Sequence, residues 1–173
     1  MKKVIGILMF TVIATCVFAQ EFEVPDDYVF STTEDYAKYE TDILKGIDWL
    51  TKTPIKDQPV KRKEINSFVI MWLTGCPNVS VEVNTEIVNF FETNPELLMI
   101  FMCGWTKYSL ETKVNNNNIK GNLKGIETVI EFYNKNRENL EKDKNVEKYI
   151  KMKEKGTLEE FITEKVQQQS QER

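Results

Sequence analysis

The strongest constraint on this chain is the spacing of its apolar residues, which return at three- and four-residue steps in one segment after another. Ile65, Phe68, Val69, Trp72 and Leu73 fall at i, i+3, i+4, i+7 and i+8, one face of a helix. Tyr36, Tyr39, Ile43, Ile47 and Leu50 do the same earlier in the chain, and Ile119, Leu123, Ile126, Ile130 and Tyr133 later. Only the run Val79-Ser80-Val81-Glu82-Val83 alternates with period two, and with no second such run to pair with it reads as an extended connection. The pattern predicts an all-α fold: a single-domain bundle of about six or seven helices built from antiparallel helical hairpins. Residues 32–166 form this helical domain, behind an extended lead over 20–31 and ahead of a frayed tail over 167–173 that has no apolar pattern. No fixed 34-residue repeat is present, so a solenoid of helical pairs stays an open alternative that the sequence does not mark.

Cap and breaker residues set the boundaries. Ser31-Thr32-Thr33-Glu34 offers a capping box, Ser31 with Glu34, for the first helix, and Lys52-Thr53-Pro54 ends it. A second helix starts near Val60 and stops at Gly75-Cys76-Pro77. Asn84 is placed to cap a short helix carrying Ile87, Val88, Phe90 and Phe91. Asn94-Pro95-Glu96 is a strong new start, with a capping Asn and Pro at the first helical position. Leu97 to Trp105 then run without a charge, which predicts a helix buried nearly all round, with Gly104 placed for close approach of a neighbour. Asn118 caps the next helix, Gly156 closes a short one holding Val146, Tyr149 and Ile150, and Thr157 to Glu160 form a second capping box.

The first twenty residues read as an address. Lys2 and Lys3 precede an uncharged, mostly apolar stretch from Val4 to Ala19, and Val17 and Ala19 sit at the −3 and −1 positions of a cleavage site before Gln20. A basic start, a short apolar run and small residues at the cut describe a secretory signal peptide, residues 1–19. At about 24 Å as a helix it is short for the ~30 Å hydrocarbon core of a bilayer. The expectation is a periplasmic or secreted protein, cleaved after Ala19, with no transmembrane segment left afterwards. The alternatives are an uncleaved N-terminal anchor and a lipoprotein modified at Cys16, for which Ile13-Ala14-Thr15-Cys16 loosely resembles a lipobox with a poorly suited Thr15.

Composition narrows function mostly by exclusion. The chain has no His, which removes the usual general base, the Ser–His and Cys–His pairs and most zinc sites. No catalytic constellation, cofactor motif or calcium loop stands in its place, so no catalytic residue, metal ligand or cofactor is assigned. Removing Lys2 and Lys3 from 23 basic residues leaves 21 against 27 acidic ones, a net charge of −6 for the mature chain. Nine acids fall within residues 20–51 against Lys38 and Lys45, and residues 64–106 hold no Lys or Arg. A net-acidic chain showing no long basic face is a poor partner for nucleic acid. The acids at 26–27, 34–35, 40, 42 and 48 offer a carboxylate pair of the kind glycoside hydrolysis uses, although charge on a helix surface is ordinarily just solvated.

Two groups of residues remain as candidates. Cys76 and Cys103 are the only cysteines after signal removal, and in an oxidising compartment a bridge between them is worth ~3–4 kcal/mol. The alternative is two small buried thiols. Trp49 lies off the main stripe of the first helix and, with Tyr28 and Phe30 of the lead, offers an apolar patch for a partner. The alternative is that the lead folds back and covers it.

The runs from Lys45 to Pro54, from Phe68 to Pro77 and from Asn94 to Ile100 resemble a group of small exported all-helical proteins of Gram-negative bacteria for which no activity is established. The resemblance implies export and a helical fold and carries over no site residues. The expected function is therefore a non-enzymatic binding or interaction module of the cell envelope, its partner an unidentified protein or small ligand. The alternatives are a carboxylate-dependent hydrolase in a helical cleft and a structural or stress-related envelope protein without a discrete ligand.

Overall fold

A computed structural model describes residues 22–172, so residues 1–19, read from sequence as a signal peptide, and the expected cut after Ala19 lie outside the described residues. Those residues form six α-helices and no strand: α1 (Thr33–Lys52), α2 (Pro59–Gly75), α3 (Glu96–Thr112), α4 (Asn118–Lys135), α5 (Lys144–Lys155) and α6 (Leu158–Glu172). The uncharged run 97–105 explains the architecture. It lies in α3, which stands between two hydrophobic clusters and feeds both. Met99, Cys103 and Leu110 join the lead, α1 and α2 around Phe68 and Trp72, while Leu97, Ile100, Phe101 and Trp105 join α4, α5 and α6 around Ile126, Tyr133 and Tyr149. Where it has cores on both sides, over 97–105, the helix has no face left for charge, and its charged residues fall at its ends, Glu96 before the run and Lys107 and Glu111 after it.

The packing of α3 on α4, the most extensive in the bundle, depends on three glycines. A Cβ on Gly104 would meet the backbone carbonyl oxygen of Lys124 at 2.7 Å, and one on Gly125 would meet the Phe101 ring at 2.5 Å. A Cβ on Gly121 would collide with the Trp105 indole. Gly104 thus does what its position in the apolar run suggested.

Several caps are displaced from their expected positions. The α1 capping box is Thr32 with Asp35, one residue later than Ser31 with Glu34: the Thr32 hydroxyl accepts from the Asp35 amide at 3.3 Å. The short Asp35 carboxylate reaches the amides of both Thr32 (2.8 Å) and Ser31 (3.1 Å), which the Glu34 register would not satisfy together. Gly75 ends α2, but the following Cys76 is extended and not left-handed. Glycine is required there because Tyr36 packs where a Cβ would be. Asn94 does not cap α3 with its side chain. Its amide clasps Glu141 instead, accepting from the peptide N–H and donating to the carbonyl, both at 3.0 Å. Asn117, not Asn118, caps α4 through a 3.0 Å bond from the Lys120 amide.

Residues 84–91 form tight turns and not a short helix. Asn84 still accepts from the Glu86 amide, but the next carbonyls are taken by tertiary donors: Tyr149 Oη donates to Ile87 (2.8 Å) and Asn145 Nδ2 to Asn89 (2.9 Å). The run 79–83 joins no strand among the described residues and connects α2 to the turns that follow, as expected. Gly156, at φ +72°, closes α5 in the left-handed region. The Thr157 hydroxyl points back to the Met152 carbonyl at 3.5 Å. Helix α6 continues to Glu172 through the stretch expected to fray, helped by local bonds such as Gln168 to Glu164 (3.0 Å) and Ser170 to Val166 (2.9 Å).

Candidate functional site

The aromatic residues singled out by the sequence do not make an open patch. Trp49 is 5% exposed and belongs to the core between the lead, α1 and α2. The Arg62 guanidinium covers its ring at 5.3 Å and the Lys61 ammonium at 5.9 Å, and Lys61 is itself tied to Glu23 of the lead at 2.5 Å. Tyr28 and Phe30 are brought together, half-buried, around Phe68 with ring centroids 4.9 and 5.8 Å away, and Phe30 also packs on Tyr36 and Tyr39. The lead folds back over α1 and α2, so the covered alternative holds and Trp49 is a core residue.

The cysteines are free thiols, not a bridge. Cys103 is fully buried on α3, where burial pushes its thiol up to about 12. Cys76 is half-buried in the turn after α2; burial raises its pKa, while the amides of Asn78 and Val79 bond to the sulfur and hold it within its own turn.

Four of the five acids of the first helix, all but the exposed Glu34, are occupied by structural work. Asp35 caps α1, Asp42 pairs with Lys45 at 3.2 Å, and Glu40 pairs with Lys113 at 2.7 Å. Asp48 sits in a cavity of about 160 Å³ between α1, α3 and α4, bonded to Lys107 at 2.6 Å and Lys52 at 2.8 Å. Burial pushes the Asp48 carboxyl up, but the bonds and charges of the two lysines outweigh it and hold it below the usual range. A general acid needs the opposite shift. Among the described residues no group of three or more Cys, Asp and Glu side chains is arranged to hold a metal ion, and no helix is long and apolar enough to cross a membrane.

The most distinctive chemical surface lies on α5. Val146 and Tyr149 fix its buried face, and Tyr149 anchors it to the 84–91 turns. Asp143 caps its first turn through the amides of Asn145 (2.8 Å) and Val146 (3.0 Å). Once the helix is oriented in this way, Lys144, Lys148, Lys151 and Lys155 follow at steps of four, three and four along its exposed side. They span about 16 Å. With Lys142 they border an open groove of about 530 Å³ that also includes Met152, Thr157 and one acid, Glu147. That acid is already engaged: it takes a bond from Arg137 at 2.5 Å and one from Tyr133 at 3.3 Å, and Arg137 above all holds its carboxyl below the usual range. Lys148 lies over the Phe161 ring at 4.6 Å. Lys144, Lys151 and Lys155 form no ion pair among the described residues.

The sequence reading missed this face because charge was counted along the chain, where Glu147 and Glu154 dilute the lysines. The same three-and-four spacing that located the apolar stripes, applied to Lys, finds it. The arrangement can bind anions: five flexible ammonium groups border one open groove whose single acid is already paired with Arg137. No protein-family model matches the chain, and no curated protein or solved structure matches it.

Proposed function

We propose that this protein is an exported, non-enzymatic binding module that captures an acidic protein segment in the α5 groove. The observation that carries the reading is the lysine stripe 144/148/151/155, one-sided, exposed and largely unpaired over a single acid already neutralised by Arg137. Lysines four apart repel one another by ~0.2–0.5 kcal/mol per pair, and Lys144 stands at the positive end of the helix dipole. The isolated chain gains nothing from that placement, whereas an acidic ligand would. A groove, rather than a flat face, favours a polypeptide segment over a lipid surface. Export rests on the basic start, apolar run and small-residue cut of residues 1–19.

The test is fluorescence anisotropy with a labelled Glu-rich dodecapeptide at low salt, using the chain that begins at Gln20. The wild type is expected to bind, and the triple variant Lys144→Gln, Lys151→Gln, Lys155→Gln to bind at least about tenfold more weakly with unchanged helical CD. Equal affinity of the two proteins, or no binding by either, removes this reading.

A further inference from the structure

A second groove, of about 740 Å³, runs between the lead and α2 and carries the opposite charge. Glu23, Asp26, Asp27 and Glu64 line it against a single cation, Lys63. Glu23 is taken by Lys61, but Asp26, Asp27 and Glu64 form no ion pair among the described residues. The groove also has apolar material: Val60 is 72% exposed at the start of α2, and Tyr28 of the lead lines the groove half-buried. The α2 side of the groove runs from Val60 to Ser67, about 10 Å, and can face part of the ~16 Å lysine row from Lys144 to Lys155. They belong to different halves of the bundle, α2 packing on α1 and α5 on α4 and α6.

We infer that the acidic groove of one copy receives the α5 lysine face of a second copy, giving a head-to-tail assembly. The inference rests on the reading of α5 as a binding surface and names the partner. Three unpaired lysines on one side meet three unpaired carboxylates on the other, and the lysine stems and Met152 lie against Val60 and Tyr28. The two surfaces differ, so the contact is heterologous: each copy keeps one free surface of each kind, and the assembly closes into a ring or extends as a chain. A contact built on exposed charge pairs is weak and sensitive to salt.

Sedimentation velocity of the mature chain at several hundred micromolar separates the outcomes. At low salt, species larger than the monomer are expected, and raising salt about tenfold should dissociate them. Variant A carries Asp26→Lys and Asp27→Lys, variant B carries Lys148→Glu and Lys151→Glu, and each alone should remain monomeric. Mixed in equal amounts they should associate again, because the α5 face of A meets the unaltered groove of B and the reversed surfaces also match. CD spectra establish that both variants are folded. A salt-independent monomer for the wild type, association of A or B alone like the wild type, or a mixture that stays monomeric overturns the inference. If the wild type is monomeric yet binds the Glu-rich peptide, the self-assembly fails while the α5 binding reading stands; if it fails to bind the peptide, both fall.

Discussion

Replacing Arg62 by Met is expected to cost about 3 kcal/mol of stability while leaving the chain folded. Arg62 sits on α2, but its guanidinium closes the C-terminus of α1, donating from Nη1 to the Leu50 carbonyl (3.1 Å) and from Nη2 to those of Thr53 (2.7 Å) and Pro54 (3.1 Å). Two of these carbonyls are outside the α1 hydrogen-bond ladder, and the third is in its last turn. The same group lies over Trp49 at 5.3 Å and Phe132 at 5.8 Å, joining the two hydrophobic clusters. Taking each charge-assisted bond at about 1.5 kcal/mol and each ring contact at about 0.5 kcal/mol gives ~5–6 kcal/mol of favourable interaction. Against this stand the desolvation of a half-buried cation, seen in its lowered pKa, and an unpartnered Nε, together offsetting ~2–3 kcal/mol. Met keeps the apolar stem, so the net loss is about 3 kcal/mol. For a chain of this size that is roughly 6–12 °C in Tm. Urea denaturation followed by far-UV CD measures the cost, and fluorescence of the three buried tryptophans, Trp49, Trp72 and Trp105, follows loss of the core. Arg62→Lys should recover less than half of it, because one ammonium cannot span three carbonyls. A loss below about 1 kcal/mol for Arg62→Met would show that water serves these carbonyls equally well, and the cap argument would be wrong.

Three further outcomes follow from particular contacts. Gly104→Ala should destabilise by ~1–3 kcal/mol in urea melts despite the better helix propensity of Ala, because its Cβ would press on the Lys124 carbonyl oxygen, a backbone atom that cannot turn aside. In the native protein a thiol reagent should label Cys76 slowly and Cys103 not at all, and in denaturant without reductant both should react; a denatured chain with no reactive thiol would mean the two are bridged. Asp48 and Glu147 have lowered pKa values in the folded state, so the stability they contribute is present at neutral pH and is lost as pH falls below about 4. The urea midpoint should therefore drop between pH 7 and pH 3.5, and less steeply in the Asp48→Asn, Glu147→Gln double variant; an equal drop in both proteins would assign the acid sensitivity to other groups.

How legible each feature was depended on whether local or distant contacts decided it. The apolar stripes of α1, α2 and α4 were readable because each needs only the 3.6-residue period, and their members Ile43, Phe68 and Ile126 are all fully buried. The uncharged run 97–105 predicts a helix buried nearly all round, and α3 meets that by standing between two cores. The misplaced short helix at 84–91 marks where local signals stop being sufficient. Asn84 does begin a turn, but the Tyr149 hydroxyl and Asn145 amide, some sixty residues away, take the carbonyls that a helix would have used. Asn94 failed as a cap for the same reason, its amide being claimed by Glu141.

Trp49 shows the same limit at the site. Lying off the Tyr39–Ile43–Ile47–Leu50 stripe suggested exposure, yet a side chain off the stripe is covered whenever another element reaches it. Here Arg62 and Lys61 of α2 do so, and the lead secures Lys61 through Glu23. Sequence patterning identifies faces that must be buried and is silent about polar side chains that can cover an apolar ring with their stems. For charge the situation is reversed. An exposed stripe needs nothing from the rest of the fold except the orientation of its helix, and Val146 and Tyr149 supply that for α5. A periodic lysine face is therefore as readable as a hydrophobic one. The neutralised Glu147 beneath it, held by Arg137 from beyond the end of α4, is the part that only the folded chain could add.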